Sequence, residues 1–267
     1  MSIIPTLKKD YIYKLAKQGK RIDGRGFNEY RPITIEPGII RKAEGSARVK
    51  IGNTQVVAGV KMDVGEPYPD TPDSGVITTS AELIPLASPD FEAGPPQEDA
   101  IELARVVDRG IREAEVVKLE ELCIEPGEKI WIVFIDIHVI DYDGNLFDCA
   151  SLASLAALYT AIVPAEKFDL GENYPLPMRG EPPISCTAAK FNNALVFDPL
   201  LDEEEVAEAR LTVATDAKGD LHAMQKGLSG GFTVDEVKKI IKGAIVNGRE
   251  IRRKLQESIE KVKQNDT

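Results

Sequence analysis

The chain has 267 residues, a formal net charge of −11 and a sequence pI of about 4.9. Its 43% hydrophobic and 29% charged residues are typical of a globular protein with one large domain or two modest ones. No apolar run reaches the roughly 18–20 residues that a membrane-spanning helix needs. The acidic balance argues against a large nucleic-acid-binding surface, because Lys and Arg supply most of the affinity of such surfaces. It leaves room for a local basic site.

The N-terminus and the cysteines bear on the compartment. The segment MSIIPTLKKDYIYKLAK has neither the continuous apolar stretch nor the cleavage site of a secretory signal peptide. The cysteines are odd in number and far apart, which suits neither a disulfide framework nor a zinc site. They are Cys123, Cys149 and Cys186. We therefore expect a cytoplasmic protein without a bound metal, whose cysteines are buried as small apolar side chains.

The first third of the chain is predicted to hold a helix followed by strands. Residues 1–30 form an N-terminal helix and loop, with an amphipathic helix over 7–17. The apolar side of this helix is formed by Leu7, Tyr11 and Leu15. The Gly52-Asn53 pair between two strand-like runs predicts a β-hairpin. A further strand is predicted over 80–87.

The middle of the chain has the strongest apolar patterns. Residues 129–141 (KIWIVFIDIHVID) are apolar on both faces, which predicts a strand in the centre of a sheet. Residues 146–162 form an Ala- and Leu-rich segment that is apolar nearly all round, which predicts a buried helix. Pro164 should stop this helix.

The last third begins after a stretch rich in Pro and Gly at 171–183, which we interpret as a linker. Strands are predicted over 184–191, 194–197 and 210–214. The acidic run LLDEEEVAEA between them is interpreted as a solvated face. A long helix starts at Thr233 with a capping box to Glu236 and runs to about Lys263. Strands, helices, strands and a helix in this order define an α+β protein.

An arginine stripe marks the helix predicted over 99–114. Arg105, Arg109 and Arg112 fall at i, i+4 and i+7, so they lie on one helical face. The opposite face carries Leu103, Ala104, Val107, Ile111 and Ala114. Arg suits phosphate, because its planar guanidinium donates two parallel, charge-assisted hydrogen bonds. The stripe is a candidate RNA-binding site.

The same stripe also fits a solvated face with local ion pairs. Asp108 can pair with Arg112, and Glu113 with Arg109, because both pairs are spaced at i and i+4. Arg105 and Arg109 are like charges at the same spacing, which is mildly unfavourable unless an anion lies between them. That repulsion favours an anion contact without excluding the simpler interpretation.

Five segments taken together resemble the RNase PH family. They are RIDGRGFNEYRPI, GSARVKIGNTQVVAGVK, ELARVVDRGIRE, EPGEKIWIVFIDIHVIDYDGNLFDCASLASLAAL and FTVDEVKKIIKGAIVNG. They extend from about residue 21 to residue 250, and their order and spacing make the resemblance specific. Within the family, the chain is most similar to the non-catalytic ring subunits of archaeal exosomes.

The resemblance implies an RNase PH-type α+β fold, with a larger N-terminal domain over 31–170 and a smaller C-terminal domain over 184–263. It implies a six-membered ring, a trimer of heterodimers, in which this chain alternates with a catalytic RNase PH-type subunit. RNA-binding cap subunits sit on such rings, which degrade single-stranded RNA from 3′ to 5′. Inorganic phosphate is used by the catalytic partner, and this chain needs no cofactor of its own.

The sequence departs from the catalytic members at two places. They have a Gly-Thr/Ser-Arg turn between the central strand and the buried helix, where this chain has Gly144-Asn145-Leu146. They also have an Asp-x-Pro at the start of the second domain, where this chain has Glu181-Pro182-Pro183. Phosphoryl transfer depends on cations around the transferring group, and leucine supplies none. The resemblance therefore implies no catalytic residues and assigns RNA contacts to Arg105, Arg109 and Arg112.

Three hypotheses follow. In the first, the chain is a non-catalytic ring subunit that binds RNA and helps to shape the active site of the neighbouring catalytic subunit. In the second, it is an active phosphorolytic 3′-to-5′ exoribonuclease that uses Glu181 and an unusual phosphate site. In the third, it is an unrelated acidic α+β scaffold whose arginine stripe is only a solvated face.

Overall fold

The computed structural model describes the backbone of residues 3–265 and the side chains of residues 8–262 and 264. The α-helices are α1 Ile3–Lys17, α2 Glu98–Arg112, α3 Leu146–Leu158, α4 Leu201–Val206 and α5 Val234–Asn265. Strands of the N-terminal half are β1 Ile33–Pro37, β2 Gly45–Ile51, β3 Thr54–Gly65, β4 Val76–Leu83, β5 Cys123–Glu125 and β6 Lys129–Asp141. Those that follow are β7 Ile162–Val163, β8 Tyr174–Pro175, β9 Ile184–Phe191, β10 Ala194–Phe197, β11 Ala209–Thr215 and β12 Leu221–Gly227. Short 3₁₀ helices cover Leu119–Leu122 and Ala165–Phe168.

The larger sheet has the strand order β1-β2-β3-β6-β4, with β5 also paired to β6. Strand β6 pairs antiparallel with β3 and parallel with β4, so the predicted central strand over 129–141 is confirmed. The predicted hairpin is confirmed too, because Ile51 pairs with Thr54 across the Gly52-Asn53 turn. Gly52 has φ +60°, a conformation that glycine adopts at little cost and that two-residue hairpin turns require.

The smaller sheet is antiparallel, with the order β10-β9-β11-β12. Helix α5 packs against β9 and β11. Its capping box is confirmed: Thr233 N donates to Glu236 Oε2 at 2.7 Å, and Glu236 N donates to Thr233 Oγ1 at 3.3 Å. Two backbone donors at the start of α5 are thereby satisfied by local side chains.

Helix α3 lies between the two sheets, against β2 and β3 on one side and β9 on the other. Every residue from Phe147 to Leu158 is buried, which confirms the helix predicted from its all-round apolar pattern. The two halves share one apolar cluster that extends from Ala47 to Ile259. The α+β class is confirmed, while the domain boundaries 31–170 and 184–263 remain a prediction.

Two predicted elements need correction, and one strand was missed. Helix α3 ends at Leu158 rather than 162, because Ile162 N donates to Glu44 O and the chain enters β7. The strand predicted over 80–87 lies at β4, four residues earlier. Its end is set by pairing with β6 up to Leu83, after which residues 84–87 form a turn. Strand β12 was not predicted.

The N-terminal helix is present but rotated. Ile12 and Ala16 are buried, whereas the predicted core residue Tyr11 is 54% exposed. The side chain of Leu7 and residues 1–2 of the predicted N-terminal segment lie outside the described part of the chain. Ile12 and Ala16 join Phe191 and Val206 in a small separate cluster. Contacts with the smaller sheet and α4 therefore determine which face of α1 is buried. The spacing of apolar residues within the helix does not predict these contacts.

The cysteines are buried only in part as predicted. All three cysteines are free; Cys149 and Cys186 are fully buried, but Cys123 is half-buried. Of the helices that the structure describes, none is long and apolar enough to cross a membrane.

Candidate nucleic-acid interface

Helix α2 presents three arginines on one exposed face, as its spacing predicts. Its other side is buried against β4, α3 and β12, with Leu103, Val107 and Ile111 each 1% exposed. Arg105, Arg109 and Arg112 are all exposed. A cleft of about 380 Å³ runs along α2 and is also lined by a residue of β12. Its lining includes Glu98, Ile101, Glu102, Arg105, Arg109 and Gln225.

Arg112 is already neutralised by its own helix. Its Nε and Nη2 donate to the Asp108 carboxylate at 3.0 and 2.9 Å, and Nη2 also donates to Ile77 O at 2.9 Å. The Asp108 hydrogen bond raises the pKa of Arg112 further above its ordinary value. The ion-pair interpretation is therefore right for Arg112, although its predicted RNA contact stays a prediction.

Arg109 and Arg105 differ from Arg112. Arg109 Nη1 donates to the neutral side-chain oxygen of Gln225 at 3.0 Å, and not to Glu113 as the spacing allows. Within residues 8–262, no carboxylate oxygen lies within 4.0 Å of the Arg105 or Arg109 guanidinium. Two uncompensated cations one helical turn apart suit an anionic chain that passes over α2.

Arg210 of β11 lies beside this face, although no sequence pattern predicts it there. Its Nη2 donates to Glu102 Oε1 at 2.7 Å, and its Cζ lies 4.0 Å from the centroid of the Phe147 ring. Stacking on an aromatic face is a favourable setting for guanidinium. The contact brings the second sheet to the start of α3, next to the turn that departs from the catalytic pattern.

The turn before α3 is centred on Asn145, which is fully buried and left-handed, with φ 56° and ψ 48°. Asparagine tolerates this conformation better than most residues. Its backbone N–H donates to Glu204 Oε1 at 2.9 Å. Its side-chain amide donates to Asp148 Oδ2 at 3.0 Å and to Asp198 Oδ1 at 2.8 Å. Three carboxylates of the chain therefore converge on the residue at the helix N-terminus.

Glu204 occupies the place where a helix N-terminus would otherwise attract a foreign anion. Tyr142 Oη donates to its other oxygen at 2.8 Å. Burial raises the pKa of Glu204, although the Asn145 N–H and Tyr142 oppose this rise. Gly144 is packed tightly against the segment before α4, because a Cβ at this position would lie 2.5 Å from the backbone of Leu200. Helix α4 and the segment before it thus cover the turn.

Asp198 binds the arginines nearest to the turn. Its carboxylate accepts from Arg25 Nη1 at 2.8 Å, from Arg31 Nε at 2.9 Å and from Arg31 Nη2 at 2.7 Å. Arg31 also donates to Asp143 O at 2.6 Å and to Gly144 O at 3.2 Å. Burial would raise the pKa of Asp198, but Arg31 outweighs burial and the pKa lies below its ordinary value.

The predicted solvated face at the acidic run of α4 is only partly present, because the side chains of Asp202 and Glu205 are 40% and 49% exposed but Glu203 is buried. Glu203 is 1% exposed and accepts from Arg21 Nε at 3.0 Å and from Arg21 Nη2 at 2.5 Å. Arg21 of the RIDGRGFNEYR segment is thus a partner of the acidic run, and Arg25 and Arg31 of the same segment are partners of Asp198 just before it. The partners are separated by 167 to 182 residues in the chain. One hint in the sequence is that the run LLDEEEVAEA holds five acidic residues and no basic one.

Asp148, in the first turn of α3, is buried among hydrogen-bond donors. Tyr30 Oη donates to it at 2.7 Å, Thr187 N at 3.0 Å and Thr187 Oγ1 at 2.7 Å. Burial nevertheless raises the pKa of Asp148 to about 6. It links the loop before β1, α3 and β9.

Glu181 does not reach the turn. It is exposed and lies next to Gly180, whose carbonyl accepts from Tyr159 Oη at 3.1 Å. Tyr159 caps the C-terminal end of α3, whereas the turn lies at its N-terminal end. A helix of 13 residues is about 20 Å long. No group of three or more His, Cys, Asp or Glu in the described residues could hold a metal ion.

Two sheets packed on one buried helix fit an RNase PH-type fold, and sequence comparison shows that class of protein. Residues 29–164 match domain 1 of the 3′ exoribonuclease family, and residues 181–246 match domain 2. The chain belongs to this family.

Similar proteins make the comparison more specific. The chain is 56% identical over 254 residues to the exosome complex component Rrp42 of Methanocella arvoryzae, covering 95% of this chain and 97% of the relative. The Archaeoglobus fulgidus protein of the same name is 54% identical over 257 residues, covering 96% and 98%. These matches exclude the hypothesis of an unrelated scaffold.

Solved structures agree with these relatives. A chain of the Archaeoglobus fulgidus exosome, solved with RNA bound to the active site, superposes with a TM-score of 0.92 at 52% identity. The match covers 95% of this chain and 99% of that one. A chain of an archaeal exosome core superposes with a TM-score of 0.88 at 48% identity.

Proposed function

We propose that this protein is a non-catalytic subunit of an archaeal-type exosome ring. It alternates with a catalytic RNase PH-type subunit in a six-membered ring in the cytoplasm, beneath RNA-binding cap subunits. It binds single-stranded RNA and helps to shape the active site of its catalytic neighbour, where inorganic phosphate acts. Full-length similarity to exosome components supports this assignment.

The lack of catalysis rests on one observation: the turn Gly144–Leu146 is occupied by the chain's own carboxylates. Glu204 accepts the Asn145 N–H, and Asp198 binds both Arg25 and Arg31. Inorganic phosphate entering here would meet negative charge and no free guanidinium. Since phosphorolysis depends on cations around the phosphate, the site as folded does not support it.

The RNA contact rests on the different partners of the α2 arginines. Arg105 and Arg109 keep their charge free of carboxylates, while Arg112 is paired with Asp108. We therefore assign the main phosphate contacts to Arg105 and Arg109 and a weaker one to Arg112. The net charge of −11 is compatible with this role, because the basic site is local and the ring supplies the rest of the path.

The alternative, an active exoribonuclease that uses Glu181, is less well supported. It needs an acidic group beside the phosphate turn, and Glu181 lies at the opposite end of α3.

A phosphorolysis assay tests the proposal. The purified chain, the catalytic partner and the assembled complex are each incubated with single-stranded RNA and phosphate, and nucleoside diphosphates are measured. We expect release by the complex and none by this chain alone. Release by this chain at a rate comparable to that of the complex would overturn the non-catalytic assignment. The native mass of this chain mixed with its catalytic partner tests whether a ring assembles. A chain that stays monomeric in this mixture would contradict the proposed ring.

RNA binding is tested with the double variant Arg105→Ala, Arg109→Ala in the assembled ring. We expect weaker binding and a flatter dependence on salt, because two phosphate contacts are lost. Arg253→Ala is a suitable control, since it removes a positive charge from α5 that is already paired with Glu250 and Glu257. Unchanged binding of the double variant would remove α2 from the RNA path.

A further inference from the structure

Gln225 touches the candidate RNA face from the other half of the chain. It lies half-buried on β12, the edge strand of the smaller sheet, across from α2. Its Oε1 accepts from Arg109 Nη1 at 3.0 Å. Its Nε2 makes only a long contact of 3.5 Å to Lys226 O. Because guanidinium groups only donate, the amide must present its oxygen to Arg109.

Gln225 is an uncharged partner for Arg109, whereas the neighbouring arginines have carboxylate partners. Arg112 on the same helix face is held by the Asp108 carboxylate, and Arg210 beside it is held by Glu102. A carboxylate partner orients a guanidinium but also cancels its charge and competes with an RNA phosphate. An amide oxygen orients the guanidinium and leaves the charge intact.

Orientation matters because an arginine side chain has many rotamers. A flexible guanidinium loses conformational freedom when it binds, and this loss weakens the interaction. The bond to Gln225 restricts Arg109 before RNA arrives, at the rim of the cleft that Arg105 shares. A single hydrogen bond from Gln225 leaves the other N–H groups of the guanidinium available for a phosphate.

We propose that Gln225 is a positioning residue for RNA binding: it orients Arg109 over the cleft while preserving the positive charge that a phosphate requires. This rests on the proposed function and deepens it, because it makes the smaller sheet part of the RNA-binding site. It also explains why Arg109 does not form the local ion pair with Glu113 that its spacing allows.

The test compares two substitutions in the assembled ring with single-stranded RNA as the probe. Gln225→Glu should form an ion pair with Arg109 and weaken binding about as much as Arg109→Ala does. The slope of log affinity against log salt should fall by about 0.7, the value for one lost single-strand phosphate contact. Gln225→Leu should weaken binding less and leave the slope unchanged, because it removes the hydrogen bond but not the charge.

Two controls separate this effect from others. Lys226→Gln changes the net charge by the same unit on the opposite face of the same strand. If it weakens binding as much as Gln225→Glu, the effect is long-range charge and the inference falls. In an Arg109→Ala background, Gln225→Glu should have no further effect on the slope; a full additional loss would also overturn the inference. Thermal unfolding and ring mass are measured for each variant, and the salt slope is a readout that a merely structural role would leave unchanged.

The outcomes distinguish this inference from the proposed function. If Arg109→Ala weakens RNA binding but Gln225→Glu does not, the role of Gln225 is refuted and the RNA contact of α2 stands. If Arg109→Ala has no effect, the α2 contact itself is refuted, and the role of Gln225 falls with it.

Discussion

Replacing Asp198 by Asn tests whether the carboxylates at the turn before α3 form a buried, charged network. Asp198 is fully buried and accepts three hydrogen bonds from Arg25 and Arg31 side chains, one from Arg31 N and one from Asn145. An asparagine keeps the shape but loses the charge. Its amide nitrogen would also face donors that now bind a carboxylate oxygen.

The expected cost follows from burial. Two N–H donors, from Arg31 and Asn145, bind Asp198 Oδ1, so placing the new amide nitrogen there sets donor against donor. Removing one partner of a buried ion pair costs about 3–5 kcal/mol, because the remaining charge stays buried without compensation. We expect the free energy of unfolding of Asp198→Asn to fall by that amount at pH 7, measured by urea denaturation.

Asp202→Asn is the matched control, because it makes the same chemical change one short segment away. Asp202 pairs with Lys8 at the surface, where the two side chains are 40% and 30% exposed. Exposed pairs contribute about 0–1 kcal/mol, so this variant should lose little stability. Equal, small losses in both variants would refute the buried network and weaken the case against phosphate binding at the turn.

Three further predictions follow. The free energy of unfolding should fall as pH rises from about 4 to 6, because the Asp148 carboxyl keeps its proton up to a pKa of about 6 in the folded protein, against an ordinary value of 3.8. In Asp148→Asn this fall should be absent when unfolding is measured across the same pH range. Gly144→Ala should lower the free energy of unfolding by about 2–5 kcal/mol in urea denaturation, from a positive φ and a backbone clash, whereas Gly127→Ala, with φ +81° and open space around it, should cost only about 1–2 kcal/mol. Arg112→Ala should weaken RNA binding by the ring less than Arg105→Ala in titrations at fixed salt, since Arg112 is already neutralised; the reverse order would contradict the assigned contacts.

Strong local patterns predicted most of the fold. The two-faced apolar run at 129–141 identified the central strand, and the Gly52-Asn53 pair identified the hairpin. These features depend on burial and turn geometry, which are properties of short segments. Strand β12 has no comparable pattern, because an edge strand is covered on few sides and alternates weakly.

The sequence by itself determined that three arginines share one face of α2 and that leucine replaces a cation at Leu146, because helical spacing and residue identity need no distant partner. Only the tertiary structure decided what those groups encounter. It joined Arg25 to Asp198 across 173 residues and Arg109 to Gln225 across 116. The charge that a side chain can offer to a ligand depends on its nearest partner in space. That partner is brought close by the packing of the two sheets around α3, which no local pattern specifies.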